Sequence, residues 1–265
     1  MNGRGLRSHV EEVLTRAWAT FGLPLSMDFV DERREGILDP EAVLLSTILY
    51  LDEPRVLADV AVWAVAHEDL IIHQKVGALR RRVEASHALA LQRALATPEL
   101  RRLPTKMRAA LGGGPSHKRR GALAEREAKL APRDVVSRRS RMLFNRLLYG
   151  ASARADVITA TQLRWRPPTG IALARFVGVD ASTVSRIQND LRSCGMLRKD
   201  GSFAARTPAY PGFLVSTATL DHLPSLFDAA QVDDAGLRRA MLPDFDAPED
   251  RLGNALIKQI RTQAT

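Results

Sequence analysis

The chain has 265 residues, 45% of them hydrophobic and 26% charged, enough apolar material to bury a core and too much for a disordered tail. Lys and Arg number 39 against 30 Asp and Glu, a net charge of +9, which fits a polyanionic partner better than an acidic small substrate. A single cysteine, Cys194, excludes an internal disulfide and any metal site that needs a pair of thiolates.

The charge is unevenly placed. Residues 1–74 carry 6 cations and 13 anions, residues 75–141 carry 18 and 5, residues 142–220 carry 10 and 4, and residues 221–265 carry 5 and 8. The basic excess therefore sits mid-chain, between an acidic start and an acidic end. The opening MNGRGLRSHVEEVLTRAW lacks the apolar run of a signal peptide, and no stretch reaches the ~18 apolar residues of a membrane span. A cytoplasmic protein with no membrane association is expected.

In chain order, Asp39-Pro40-Glu41 offers an N-cap, a first-turn proline and an acid at the positive end of a helix dipole, ahead of AVLLSTILYL. Asp52-Glu53-Pro54 repeats the device ahead of RVLADVAVWAVAHEDL. Two apolar helices joined so closely predict an antiparallel hairpin that seeds a bundle. Helical pattern continues through KVGALRRRVEASHALALQRAL, and Thr97-Pro98-Glu99 starts a further short helix. Gly112-Gly113-Gly114-Pro115 breaks the chain. Helix signals resume at 122–130 and from Pro132 through Tyr149, with Gly150 as C-cap.

The most informative stretch is TGIALARFVGVDASTVSRIQNDLRSCGMLRKDGSF, residues 169–203. Small Ala174, turn-forming Gly178, and apolar Val184 and Ile187 have the spacing of a helix-turn-helix, with Leu173, Val177, Val179 and Leu191 completing the apolar set. Asp180 is placed to cap the second helix, and Thr169 the first. The other positions of the second helix are small or hydrogen-bonding. Ser182, Ser185, Arg186 and Asn189 are the candidates for base contact, with Thr183 beside them, because Arg can donate twice to guanine and Asn can pair in both senses with adenine. Asp200-Gly201 predicts a tight hairpin, a wing on which Arg198, Lys199 and Arg206 meet phosphates, and residues 163–166 add a third strand. Lys118, Arg119 and Arg120 are further phosphate candidates, and so are Arg138, Arg139 and Arg141, against the plainer reading of a solvated helix face.

Residues 143–206 resemble the winged helix-turn-helix domains of bacterial transcription regulators, including the multiple-antibiotic-resistance type. LLYGASARADVITATQL and ALARFVGVDASTVSRIQNDLRSCGML are also similar to winged-helix segments of antitoxins from abortive-infection systems. The resemblance covers about a quarter of the chain. It implies binding of double-stranded DNA as a homodimer. The second resemblance implies a phage-defence component that holds a protein partner and autoregulates through the same helix.

Trp18 and Trp63 read as core residues, and so does Trp165. His67, Glu68 and His73 do not align as metal ligands, and no phosphate-binding loop, GxSxG elbow or dinucleotide fingerprint is present. No catalytic residues, cofactor or metal are expected. The resulting expectation is a mainly α protein, with a helical domain over 1–111, a basic linker over 112–141, a winged helix over 142–210 and an acidic segment over 211–265. It acts as a sequence-specific DNA-binding regulator, a repressor by preference.

Overall fold

The computed structural model describes residues 3–25, 37–83, 85–114, 124–162, 170–198 and 213–215. Among them the protein is mainly helical. The chain opens with α1 (Gly3–Thr20), followed by α2 (Pro40–Tyr50), α3 (Pro54–Ala66), α4 (His73–Arg82), α5 (Ala85–Leu95) and α6 (Thr105–Ala110). A second run comprises α7 (Ala124–Glu127), α8 (Arg133–Arg139), α9 (Arg141–Tyr149), α10 (Ala153–Gln162), α11 (Gly170–Val177) and α12 (Ala181–Ser193). Two short parallel strands, β1 (Ile37–Leu38) and β2 (Phe213–Val215), pair with each other. The wing around Asp200-Gly201, the strand over 163–166 and Trp165 lie outside the described residues.

The start of α2 follows its sequence signal: the Asp39 carboxylate accepts from the backbone N–H of Glu41 and Ala42, and Pro40 occupies the first turn. The second signal works differently. Because α3 begins at Pro54, its N-cap position falls on Glu53, which makes no side-chain capping bond, and Asp52 is one residue too early. The expected hairpin seed also needs correction. Helix α2 packs mainly on α1, α4 and α5, and only lightly on α3, so the core grows around an α2 buried along nearly its whole length. A helix apolar on every face belongs in the middle of a bundle.

Two predicted long helices are each divided. The pattern from Lys75 to Leu95 splits between α4 and α5, where Val83 takes extended angles. The run from Pro132 to Tyr149 splits at Ser140, which is extended (φ −119°) and whose hydroxyl caps α9 through the Leu143 N–H. Serine favours a cap over a helix interior because its hydroxyl competes for backbone donors.

Two hydrophobic clusters result. One runs from Leu6 to Leu143 and centres on Trp18, Phe21 and Trp63. Trp18 meets Trp63 edge-on at 5.3 Å, Phe21 stacks on Trp63 at 5.4 Å, and the Trp63 indole N–H donates to the Phe21 carbonyl. His67 also stacks on Trp63, at 4.7 Å, and burial holds its pKa below the usual histidine value. The second cluster gathers Met142, Val157, Ile158, Leu173, Ala174, Val177, Val184, Ile187, Leu191 and Leu197.

The stretch expected as a linker over 112–141 is no linker over its second half. From Arg126 onward it lies on the first cluster: Arg126 pairs with Asp59, Arg133 forks onto Asp69, the Ala131 N–H donates to the Gly22 carbonyl, and Val136 is buried. Gly22 is required there. Its φ is +89°, and a Cβ would stand 2.7 Å from that of Ala131 and 2.8 Å from Val136.

Candidate nucleic-acid interface

Helices α10, α11 and α12 form a three-helix unit around the second cluster. The turn between α11 and α12 is made by Gly178 at φ 72°, a left-handed conformation open to glycine at little cost. The Val179 N–H closes it by donating to the Ala174 carbonyl. Every residue of the predicted apolar set packs inward, Val179 only in part. Asp180 caps α12: its carboxylate accepts from the Thr183 N–H and hydroxyl, both at 2.7 Å, and from the Ser182 hydroxyl. These bonds, Ser182 first and then Thr183, hold its pKa well below the ordinary aspartate value. At the far end Gly195 turns at φ 69°, and the Met196 N–H returns to the Leu191 carbonyl.

Inward-facing Val184, Ile187 and Leu191 fix the opposite side of α12 as the outer one. Ala181, Ser182, Ser185, Arg186, Asn189, Arg192 and Ser193 are exposed there. Thr183 is half-buried and engaged by the cap, which leaves it less to offer a partner. Arg192, which sequence reasoning passed over, donates to the Asn189 side chain at 2.8 Å, so two polar groups of the outer face are already oriented together. Asp190 is paired with Arg154 of α10. Arg198 is exposed just beyond α12. Thr169, Lys199, Arg206, Lys118, Arg119 and Arg120 lie outside the described residues.

The other basic candidates have internal work. Arg138 pairs with Asp134 one turn back, and Arg141 stacks over Phe144 while donating to Gln162.

Behind the unit lies a feature with no sequence warning. Asp39, Glu41, Lys75, Arg146 and Asp156 meet in one buried ionic network drawn from α2, its cap, α4, α9 and α10. The Arg146 guanidinium places all five donors: Nη1 on Glu41 and on the Leu70 carbonyl, Nη2 on Glu41 and Asp156, and Nε on Asp156, all at 2.7–2.8 Å. Lys75 donates to Asp156 at 2.8 Å and touches Asp39 at 2.5 Å, an ion contact not aligned as a hydrogen bond. Glu41 also accepts from the Ile72 N–H.

Three carboxylates thus share two cations out of water. Burial raises the pKa of each acid. For Glu41 and Asp156 the neighbouring Arg146, then Lys75, more than offset burial and hold them below the usual range. At Asp39 burial outweighs Lys75, and the neighbouring Glu41 and Asp156 carboxylates add to it, lifting the pKa to about 6. Burial disfavours the charged forms of Lys75 and Arg146 too, yet the carboxylates around them, Asp156 foremost, hold both above their ordinary values.

The network joins α4 to the three-helix unit, and an open cleft of about 610 Å³ runs between them. Its walls are Gln74, Lys75, Ala78 and Arg82 on one side, and Ser152, Gly178, Asp180 and Thr183 on the other. No family model, curated protein or solved structure matches the chain.

Proposed function

We propose that the protein is a winged helix-turn-helix regulator that binds double-stranded DNA sequence-specifically, with α12 in the major groove. The observation that carries this reading is the outer face of α12: small and hydrogen-bonding residues exposed over three turns, beside an inner face buried in the second cluster. Small Ala181, Ser182 and Ser185 allow close approach, Arg186 and Asn189 supply bidentate chemistry, and Asp180 and Asp190 both have their charge satisfied by partners within the protein.

Duplexes selected from a random pool by the full chain provide the test. Arg186→Ala should cost about 1–3 kcal/mol on the selected site and relax one base preference, whereas Arg198→Ala should weaken all sequences alike. Equal losses on selected and random DNA from both changes would remove base reading by Arg186, and recovery of no duplex would end the reading.

A homodimer on a two-fold site belongs to this proposal. Leu147, Leu148 and Tyr149, exposed in a row at the end of α9, support it together with Ile171 on α11, since neighbouring exposed apolar side chains favour a protein contact. Leu148→Glu with Ile171→Glu should convert a dimer to a monomer in sedimentation equilibrium. The same exposed residues keep alive the second reading, a defence-system component whose partner is another protein. A monomeric wild type that shifts no DNA would favour it.

A further inference from the structure

Two residues on the outer face of α12 are bonded to each other. Arg192 Nη1 donates to Asn189 Oδ1 at 2.8 Å, across the i, i+3 spacing that brings helix side chains together. The bond settles the direction of the amide. A guanidinium has donors only, so the amide oxygen must face it and the amide nitrogen must point away. Asp190, the acid between the two in sequence, is held by Arg154 of α10 and so does not draw Arg192 off.

The two residues are not equivalent. Val184, Ile187 and Leu191 point into the second cluster, and at about 100° per residue Asn189 stands nearly opposite their mean direction. Arg192 is set about 60° to one side of it. Arg192 also belongs to the last turn of α12, whereas base contacts come from the N-terminal part of a reading helix. Asn189 is therefore the reader of the pair. Its amide keeps one lone pair of Oδ1 and both hydrogens of Nδ2. These are the groups adenine requires, since its N6–H donates to the oxygen and its N7 accepts from the nitrogen. An unrestrained asparagine must be ordered on binding, and one already oriented avoids most of that cost.

We infer that Arg192 is a positioning residue for Asn189. By holding Oδ1 it makes the amide present its acceptor and donor in a fixed order, and the adenine preference of Asn189 then depends on a side chain that touches no base. The inference rests on the DNA-binding reading and deepens it, because it assigns one base of the site to a pair of residues acting together.

The test uses the full chain and a duplex selected from a random pool, with thermal melting as the folding control. Affinities are measured for the selected site and for its three substitutions at each position. Asn189→Ala is expected to remove an adenine preference of about 5- to 150-fold at one position, the worth of a bidentate contact. Arg192→Ala should lower the preference at that same position by about 2- to 10-fold, the range for ordering one side chain. In the Asn189→Ala background the same change should leave the preference where it is. Arg192→Gln removes the charge but keeps a donor for Oδ1, and should retain the adenine preference even as affinity for every duplex falls. An Arg192→Ala preference equal to wild type, a loss shared by all four bases, or a loss at another position overturns the inference while leaving α12 as reader. Equal loss of preference in Arg192→Ala and Arg192→Gln assigns the effect to charge and overturns it too, as does an Asn189→Ala variant that relaxes no position. A wild type that selects no duplex overturns both readings.

Discussion

Arg146→Met should destabilise the protein by about 3–5 kcal/mol in urea unfolding, the range for removing one partner of a buried ion pair. The side chains have similar length and methionine packs adaptably, so the loss reports charge rather than volume. Five hydrogen bonds disappear, and Glu41 and Asp156 are left in a dry interior with Lys75 as the cation still beside them. Arg146→Lys should also be costly, because an ammonium cannot reproduce two forks at once. Adding Glu41→Gln to Arg146→Met should recover part of the stability by removing one of the orphaned charges. The deficit of Arg146→Met should shrink as pH falls, since carboxylates no longer held down by the guanidinium accept protons more readily. A loss below about 1 kcal/mol would mean that water reaches the network.

The second large effect is a pH dependence belonging to Asp39. Its folded pKa of about 6 lies above the ordinary 3.8, so between those values the folded chain binds the proton more tightly than the unfolded one. Stability from this group is then greatest at low pH, falls as pH climbs from about 4 to about 6, and is flat above. Two pKa units and more correspond to about 3 kcal/mol. Glu41 and Asp156 act in the opposite sense, their contribution being present at neutral pH and lost only as pH falls through their depressed values. His67, held low by burial, also loses stability as pH drops below the usual histidine value.

Asp39→Asn separates these terms. Asparagine keeps the N-cap on α2 and imitates the protonated carboxyl, while Lys75 keeps Asp156 and Glu41 as its carboxylate partners. The variant should match wild type near pH 4 and exceed it by up to about 3 kcal/mol at pH 7. Parallel stability curves from pH 4 to 7 would show that Asp39 titrates normally.

Much of the local structure was legible in the sequence because it is governed by neighbours along the chain. Asp39 and Pro40 start α2, Asp180 starts α12, and Gly150 and Gly178 take positive φ where turns were expected. The apolar spacing from Leu173 to Leu191 was enough to predict which side of α12 turns inward. Where the reading slipped, a local signal had a rival of nearly equal strength: Ser140 and Val83 sit inside helical pattern, and the chain bends there because separate helices bury more apolar surface than one long rod.

The candidate site divides the same way. Ser182, Ser185, Arg186 and Asn189 could be chosen from one helix alone, since their common direction follows from 3.6 residues per turn. Arg192 stands on that same face, three residues after Asn189, and the same periodicity could have found it. The ionic network was invisible. Glu41 read as an acid complementing a dipole and Lys75 as one more cation in a basic block, and neither pattern hints that residues 105 apart form a bidentate pair. By itself, then, the sequence determined the helical class, the main helix boundaries, the basic middle and the polar face of α12, all consequences of short-range periodicity and backbone chemistry. Only the tertiary structure decided which charges are buried together and how α4 is held against the unit that carries α12, because desolvation and ion pairing depend on distances in space that chain separation does not encode.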